Sequence, residues 1–207
     1  MLVVDATNVL SRAAGARFSS VAAGTSLARL FADWLAFLQL FAQSRLTVAV
    51  FDAPRSKRQQ QGPQLREMVA AEYLQRRKQR SVPQQWRGGD TLRPFKQAVA
   101  DKGGLSLVAP PGFEADDVIS AAVALLRAAA PTATLAVASG DGDVAQLLDG
   151  CTSWLRLHSL PSAATPLGVS WMDAPGFETD RGFPPAALPD YLALTGAVTS
   201  SKSVGTL

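Results

Sequence analysis

The run Leu135-Ala136-Val137-Ala138-Ser139-Gly140-Asp141-Gly142-Asp143 sets four small apolar residues and a serine against a glycine, and then delivers two acids. A short apolar run closed by glycine reads as a strand buried on both faces, with its acids presented at the carboxyl end. The pattern recurs in Leu2-Val3-Val4-Asp5 and in Thr47-Val48-Ala49-Val50-Phe51-Asp52. The intervening segments have helical spacing. Ser26 to Gln43 places Leu27, Leu30, Phe31, Trp34, Leu35, Leu38 and Phe41 on one stripe, and Ala115 to Ala130 forms a second such segment. Strand alternating with helix predicts an α/β fold: a mostly parallel central sheet flanked by helices.

The chain has 207 residues, 47% of them hydrophobic, enough for one good core. Its single cysteine, Cys151, excludes an intramolecular disulfide framework, and the lone His158 has no partners at zinc-ligand spacing. Both are expected to be bystanders in a soluble protein of a reducing, intracellular setting. No apolar run reaches the ~18 residues that a membrane span needs. With 18% charged residues and a formal net charge of +3, a cationic partner surface has to come from local clustering.

That clustering occurs between Pro54 and Lys96, which holds eleven of the twenty Lys and Arg against three acids. The segment reads as an exposed basic insertion, with helix-forming composition from Leu65 to Lys78 and with Tyr73 and Trp86 available to stack on unpaired bases. A phosphate backbone is the natural partner of such a cluster, and a solvated charged helix is the plainer alternative. After Trp154 the sequence is rich in Pro, Ser and Gly until about Pro185, and Ala186 to Leu194 looks helical again.

In open α/β sheets the functional crevice lies beyond the carboxyl ends of the strands. Asp5, Asp52 and Asp141 are expected at that edge, joined by Asp143 and by Glu114, Asp116 and Asp117 at a helix start. Seven carboxylates in one crevice repel one another unless a cation neutralises them. Hard oxygen ligands without Cys or His point to magnesium or manganese, which can activate water and hold a scissile phosphate. The alternative is that Glu114, Asp116 and Asp117 merely complement a helix N-terminus, worth about 0.3–1 kcal/mol each.

These elements resemble the 5′ to 3′ exonuclease domain of bacterial DNA polymerase I and the related flap endonucleases, a PIN-like 5′-nuclease family. The resemblance is carried by Leu2 to Asn8 with Arg12, by Val50-Phe51-Asp52-Ala53, by Gly112 to Ile119 and by Ser139 to Leu147. It implies that Asp5, Asp52, Glu114 and Asp116 surround a first metal, with Asp117 and Asp141 close to it and Asp143 facing a second. It also implies a helical arch within residues 54–96 that contacts phosphates through Arg66, Tyr73 and Arg77. The family's arch lysine falls on Leu74, for which Arg76 or Lys78 could substitute. A further departure follows Tyr191 to Gly196, where both aspartates of the family's Gly-Asp-x-x-Asp-Asn motif are replaced, by Ala197 and Ser200.

The resemblance thus implies a monomeric 5′-nuclease of replication or repair, acting on DNA with a 5′ single-stranded end or flap, or on RNA-primed junctions. Residues 1–180 would form the nuclease domain, and residues 181–207 the start of a truncated helix-hairpin-helix region. The losses at Ala197 and Ser200 imply a weakened second metal site. They leave open a nucleic-acid-binding relative with weak or no catalysis. A compact PIN-domain ribonuclease is the third reading.

Overall fold

The computed structural model describes residues 1–19, 26–53, 92–110, 113–158 and 168–195. The first expected strand is β1 (Leu2–Asp5), buried along its whole length. It runs directly into α1 (Ala6–Ser19). Next, α2 (Leu27–Phe41) starts where the Ser26 hydroxyl accepts the Arg29 amide at 3.2 Å, supplying one of the partners that a helix N-terminus lacks. The expected stripe of α2 does face the sheet: Phe31, Leu35 and Leu38 are fully buried, and Leu27, Leu30, Trp34 and Phe41 are half-buried.

β2 (Thr47–Phe51) lies parallel to β1, and α3 (Arg93–Asp101) leads to β3 (Leu105–Val108) on the far side of β2. The chain then crosses back through α4 (Ala115–Ala129) to β4 (Leu135–Ser139), which pairs in parallel with the other side of β1. A 3-10 turn (Gly142–Leu147) precedes β5 (Thr152–Leu157), and antiparallel β6 (Val169–Met172) closes the sheet. The order is β3-β2-β1-β4-β5-β6. α5 (Ala174–Arg181), a 3-10 turn (Pro185–Ala187) and α6 (Leu188–Thr195) complete the described chain.

This is the mostly parallel, helix-flanked sheet that the sequence predicts, with differences at its margins. β3, β5 and β6 were not anticipated, and the Pro-, Ser- and Gly-rich tract contains both β6 and α5. The start of α5 is set by the Asp173 carboxylate, which accepts the Gly176 amide at 2.8 Å, and its end by Gly182 at φ 79°, a left-handed conformation that favours glycine. On one sheet face, α1, α2 and α3 bury Val9, Leu10, Phe31, Phe95 and Val99 against Leu2, Val4, Phe51 and Leu155. Rings of Phe31 and Phe95 meet edge to face at 5.6 Å. On the other, α4 and the elements after β4 bury Ile119, Val123, Val144 and Phe177 against Val3, Val50, Val137 and Trp154. Each such apolar side chain contributes about 1.5–3 kcal/mol by leaving water. Among the described residues, no helix is long and apolar enough to cross a membrane.

The topology selects the crevice. From β1 the chain first builds outward through β2 and β3, then returns to build outward on the other side through β4 and β5. The reversal lies between β1 and β4, and in open α/β sheets the ligand crevice opens at such a switch point, beyond the carboxyl ends. Asp5 ends β1 there, and Ser139-Gly140-Asp141 ends β4 beside it.

Candidate active site

Asp5 is buried at the switch point, and both of its oxygens are held. Oδ1 accepts the Asn8 amide and Oδ2 accepts the Ser139 hydroxyl, each at 2.9 Å. Ser139 Oγ in turn accepts the Asp141 amide at 3.1 Å, and Asp141 Oδ1 accepts the Asp143 amide at 3.2 Å as the cap of the 3-10 turn. The Trp154 indole anchors the end of β4 by donating to the Ser139 carbonyl at 2.9 Å. One hydroxyl, Ser139, thereby couples the ends of β1 and β4.

Asp52 is positioned differently. Its amide donates to Thr7 Oγ1 at 2.8 Å, and its Oδ1 accepts the Ala115 amide, the first of α4, at 2.9 Å. The end of β2 is thus tied both to the turn after β1 and to the start of α4. That helix opens with a capping box: the Asp117 carboxylate accepts the Glu114 amide at 2.9 Å, and the Glu114 carboxylate accepts the Asp117 amide.

Asp117 thus closes the helix end through one carboxylate oxygen, and Asp116, the residue before it, is the acid whose ionisation the crevice disfavours most. Burial pushes its carboxyl up to about 8, reinforced in decreasing order by the charges of Asp5, Asp141, Asp52 and Glu114. Asp5 is pushed up to about 7, chiefly by burial, with Asp52 and Asp141 adding to the rise and the Asn8 and Ser139 hydrogen bonds opposing it. Five of the seven expected acids therefore act on one another across the edge: Asp5, Asp52, Glu114, Asp116 and Asp141. Asp143 sits half-buried in the first turn after Asp141, while Asp117 serves the capping box.

Among the described residues, no three His, Cys, Asp or Glu side chains close on a single point as a finished ion site. The donor set nevertheless suits a hard divalent ion. Each carboxylate oxygen that accepts one hydrogen bond keeps a second lone pair, and a cation would relieve the charge that raises Asp5 and Asp116.

Sequence reasoning gave no role to the residues that hold these acids: Thr7, Asn8, Ser139 and Gly140. For Thr7, Asn8 and Ser139 the signal was a short polar side chain within three residues of a strand-end acid, where Asx- and Ser/Thr-type bonds to nearby amides are favoured. Gly140 has a steric reason. A Cβ there would clash with the Arg12 guanidinium, and Arg12 Nε donates to Asn8 Oδ1 at 2.8 Å. Burial lowers the pKa of Arg12, opposed by the Asp5 charge. The expected phosphate-contacting residues Arg66, Tyr73, Arg76, Arg77 and Lys78, together with Leu74, Gly112, Ala197 and Ser200, lie outside the described residues.

No curated protein matches this chain. Among solved structures, a bacteriophage T5 protein co-crystallised with metal ions superposes with a TM-score of 0.63 at 16% identity, covering 100% of this chain and 70% of that one. A bacteriophage T5 flap endonuclease in complex with DNA and metal ions gives 0.62 at 16% identity, covering 95% and 66%. Human GEN1 in complex with Holliday junction DNA gives 0.50 at 14% identity, covering 100% and 46%. At these identities the likeness is one of fold. The chain spans two thirds or less of most of these proteins, and 70% of the T5 protein superposed first. Residues 1–170 match the family described as 5′-3′ exonuclease, N-terminal resolvase-like domain. With that match over most of its length, on the sheet and acid-lined edge described above, the chain belongs to the 5′-3′ exonuclease N-terminal domain family.

Proposed function

We propose that this chain is a divalent-metal-dependent 5′-nuclease that hydrolyses phosphodiester bonds in DNA carrying a 5′ single-stranded end or flap, or in RNA-primed DNA. The observation that carries the reading is Asp116. A carboxyl pushed up to about 8 by burial and four neighbouring acids marks a site built to receive positive charge. Asp5, Asp52, Glu114 and Asp116 are the proposed ligands of a first ion, with Asp117 and Asp141 close to it and Asp143 facing a second position. Magnesium or manganese held there would stabilise the charge that develops on the phosphate during hydrolysis.

The chain's own groups prepare that chemistry. Asn8 and Ser139 orient Asp5, the Ala115 amide orients Asp52, and the Glu114–Asp117 box fixes the helix start that carries Asp116. The basic segment 54–96, whose last residues open α3 with Phe95 buried against the sheet, carries Arg66, Tyr73, Arg76, Arg77 and Lys78 and is proposed as the arch that binds the single strand. The T5 flap endonuclease solved with DNA and metal ions, and GEN1 solved with a Holliday junction, support DNA as the substrate class. Cleavage of a labelled 5′-flap duplex with and without magnesium, with Asp116→Ala as control, tests the reading. Absence of magnesium-dependent product at any protein concentration overturns it.

A second reading is supported by Ala197 and Ser200, which stand where the family places aspartates. In it the chain is a nucleic-acid-binding relative with weak or no catalysis. DNA binding that survives Asp116→Ala, with no cleavage by either protein, decides for it.

A further inference from the structure

The same sheet edge carries cations that the acidic chemistry does not use. In register, Arg156 of β5 lies between Ser139 of β4 and Ser170 of β6. Its guanidinium sits over the Trp154 ring, 5.4 Å from the centroid, and that ring is held by the Ser139 carbonyl. Two residues on, the His158 amide donates to the Gly168 carbonyl at 2.8 Å, and its Nε2 lies 2.7 Å from Ser170 Oγ. Across β4, Arg12 reaches over Gly140, the residue after the register partner of Arg156.

Three basic side chains therefore flank the end of β4: Arg156 on β5 and His158 just after it on one side, and Arg12 of α1 over Gly140. All three are half-buried. Among the described residues the salt bridges are Arg127–Asp149 and Arg181–Asp180, so neither Arg12 nor Arg156 is neutralised by an ion pair there. Burial and then the charges of Arg156 and Arg12 hold His158 below its usual pKa, which places the three within electrostatic reach of one another. The charge of Asp5 acts on Arg12, and an anion beside Arg156 relieves its repulsion with Arg12 and His158. Stacking on Trp154 also holds the Arg156 guanidinium in a fixed plane, the arrangement suited to a phosphate.

We propose that Arg156 and His158, with Arg12 closing the cluster from α1, form a shelf for a non-scissile phosphate of the nucleic-acid strand whose neighbouring phosphodiester enters the acidic crevice. This rests on the nuclease reading for its substrate, and it gives a role to His158, which the sequence marked as a bystander.

The test is equilibrium binding of a fluorescent 5′-phosphorylated single strand and of a 5′-flap duplex to the full chain in EDTA, across a salt series. Arg156→Gln should weaken binding several-fold and reduce the magnitude of the log K against log salt slope by up to about 0.7 on the single strand. Arg156→Lys should retain most of the slope, which counts charge, while losing part of the affinity, which depends on the stacked guanidinium plane. His158→Gln, which keeps a donor for Ser170, should weaken binding less than Arg156→Gln does. Arg181→Gln, on α5 and paired with Asp180, is the control and should change nothing. An unchanged slope in folded Arg156→Gln overturns the shelf, and so does an equal fall of the slope in Arg156→Gln and Arg156→Lys, which would mark a packing role. A parallel flap-cleavage assay in magnesium separates the two proposals. Cleavage with no effect of Arg156→Gln on binding overturns the shelf alone, whereas a reduced slope without cleavage supports the shelf and overturns the nuclease reading. A chain that binds neither probe overturns both.

Discussion

Replacing Asp116 by Asn removes the crevice carboxyl whose ionisation is most disfavoured by folding. Its pKa moves from 3.8 to about 8, first through burial and then through the charges of Asp5, Asp141, Asp52 and Glu114. An acid whose folded pKa is raised stabilises the fold in its protonated form. That contribution is complete below the unfolded value and is lost as pH rises through the folded one. Metal-free protein should therefore weaken between about pH 4 and about pH 8, where the unfolded chain ionises this carboxyl while the fold still holds it protonated. A rise of about four units, at about 1.4 kcal/mol per unit, sets a ceiling of about 6 kcal/mol on the loss. Asp5, pushed up to about 7, repels Asp116, so the two release their protons as a pair. Substituting one member should then recover about half of the ceiling, on the order of 3 kcal/mol at alkaline pH. For a chain of this size that corresponds to a Tm difference of roughly 6–12 °C. Thermal melts in EDTA across this range should show Asp116→Asn and wild type converging at the acid end, with the variant more stable at the alkaline end. Parallel curves, or a wild type that gains on the variant as pH rises, would refute the assignment of Asp116 to a crowded, buried site.

The same carboxyls link metal binding to protons: with Asp5 raised to about 7 and Asp116 to about 8, a divalent ion entering at neutral pH must displace protons from them. Calorimetric titration with manganese in buffers of different ionisation enthalpy should show proton release that fades above about pH 9, and release independent of pH counts against these ligands. Ser139→Ala deletes the hydroxyl shared by Asp5 and the Asp141 amide; it should cost about 1–3 kcal/mol in urea unfolding, and a neutral effect would mean that the β1–β4 link is not stabilising. Gly140→Ala should drive Arg12 from its place while costing no more than about 2 kcal/mol of stability. Flap cleavage at wild-type rates by a folded Gly140→Ala protein would show that Arg12 is dispensable where it stands. Replacing both Arg66 and Arg77 by Ala should lower the single-strand salt slope by up to about 0.7 for each lost contact, and an unchanged slope counts against the arch.

The central strands were legible because β1, β2 and β4 are covered by helices on both sides and so read as unbroken apolar runs. β3 and β6 escaped notice because an edge strand is half solvated: Leu105 is 58% exposed and Trp171 is 45% exposed, so neither segment carries that signature. β5 is interior, yet Ser153 and Arg156 break its apolar run, and only the pairing with β4 and β6 gives those positions a reason. The acids were legible as a set because strand ends and a helix start are the places where short polar side chains accumulate. Their division of labour was not read, although the means to read it was present. Asp116 and Asp117 are adjacent and identical, and composition assigns them the same chemistry. A helix N-terminus, however, must find partners for its first amides, and Glu114 with Asp117 has the N-cap to N3 spacing of a capping box. Once that spacing commits Asp117 to the Glu114 amide, the turn of roughly 100° per residue aims Asp116 elsewhere. What lies in that direction is the switch point between β1 and β4, where Asp5 is already buried. The requirement of the backbone, more than the identity of the side chain, decides which of two neighbouring aspartates closes the capping box.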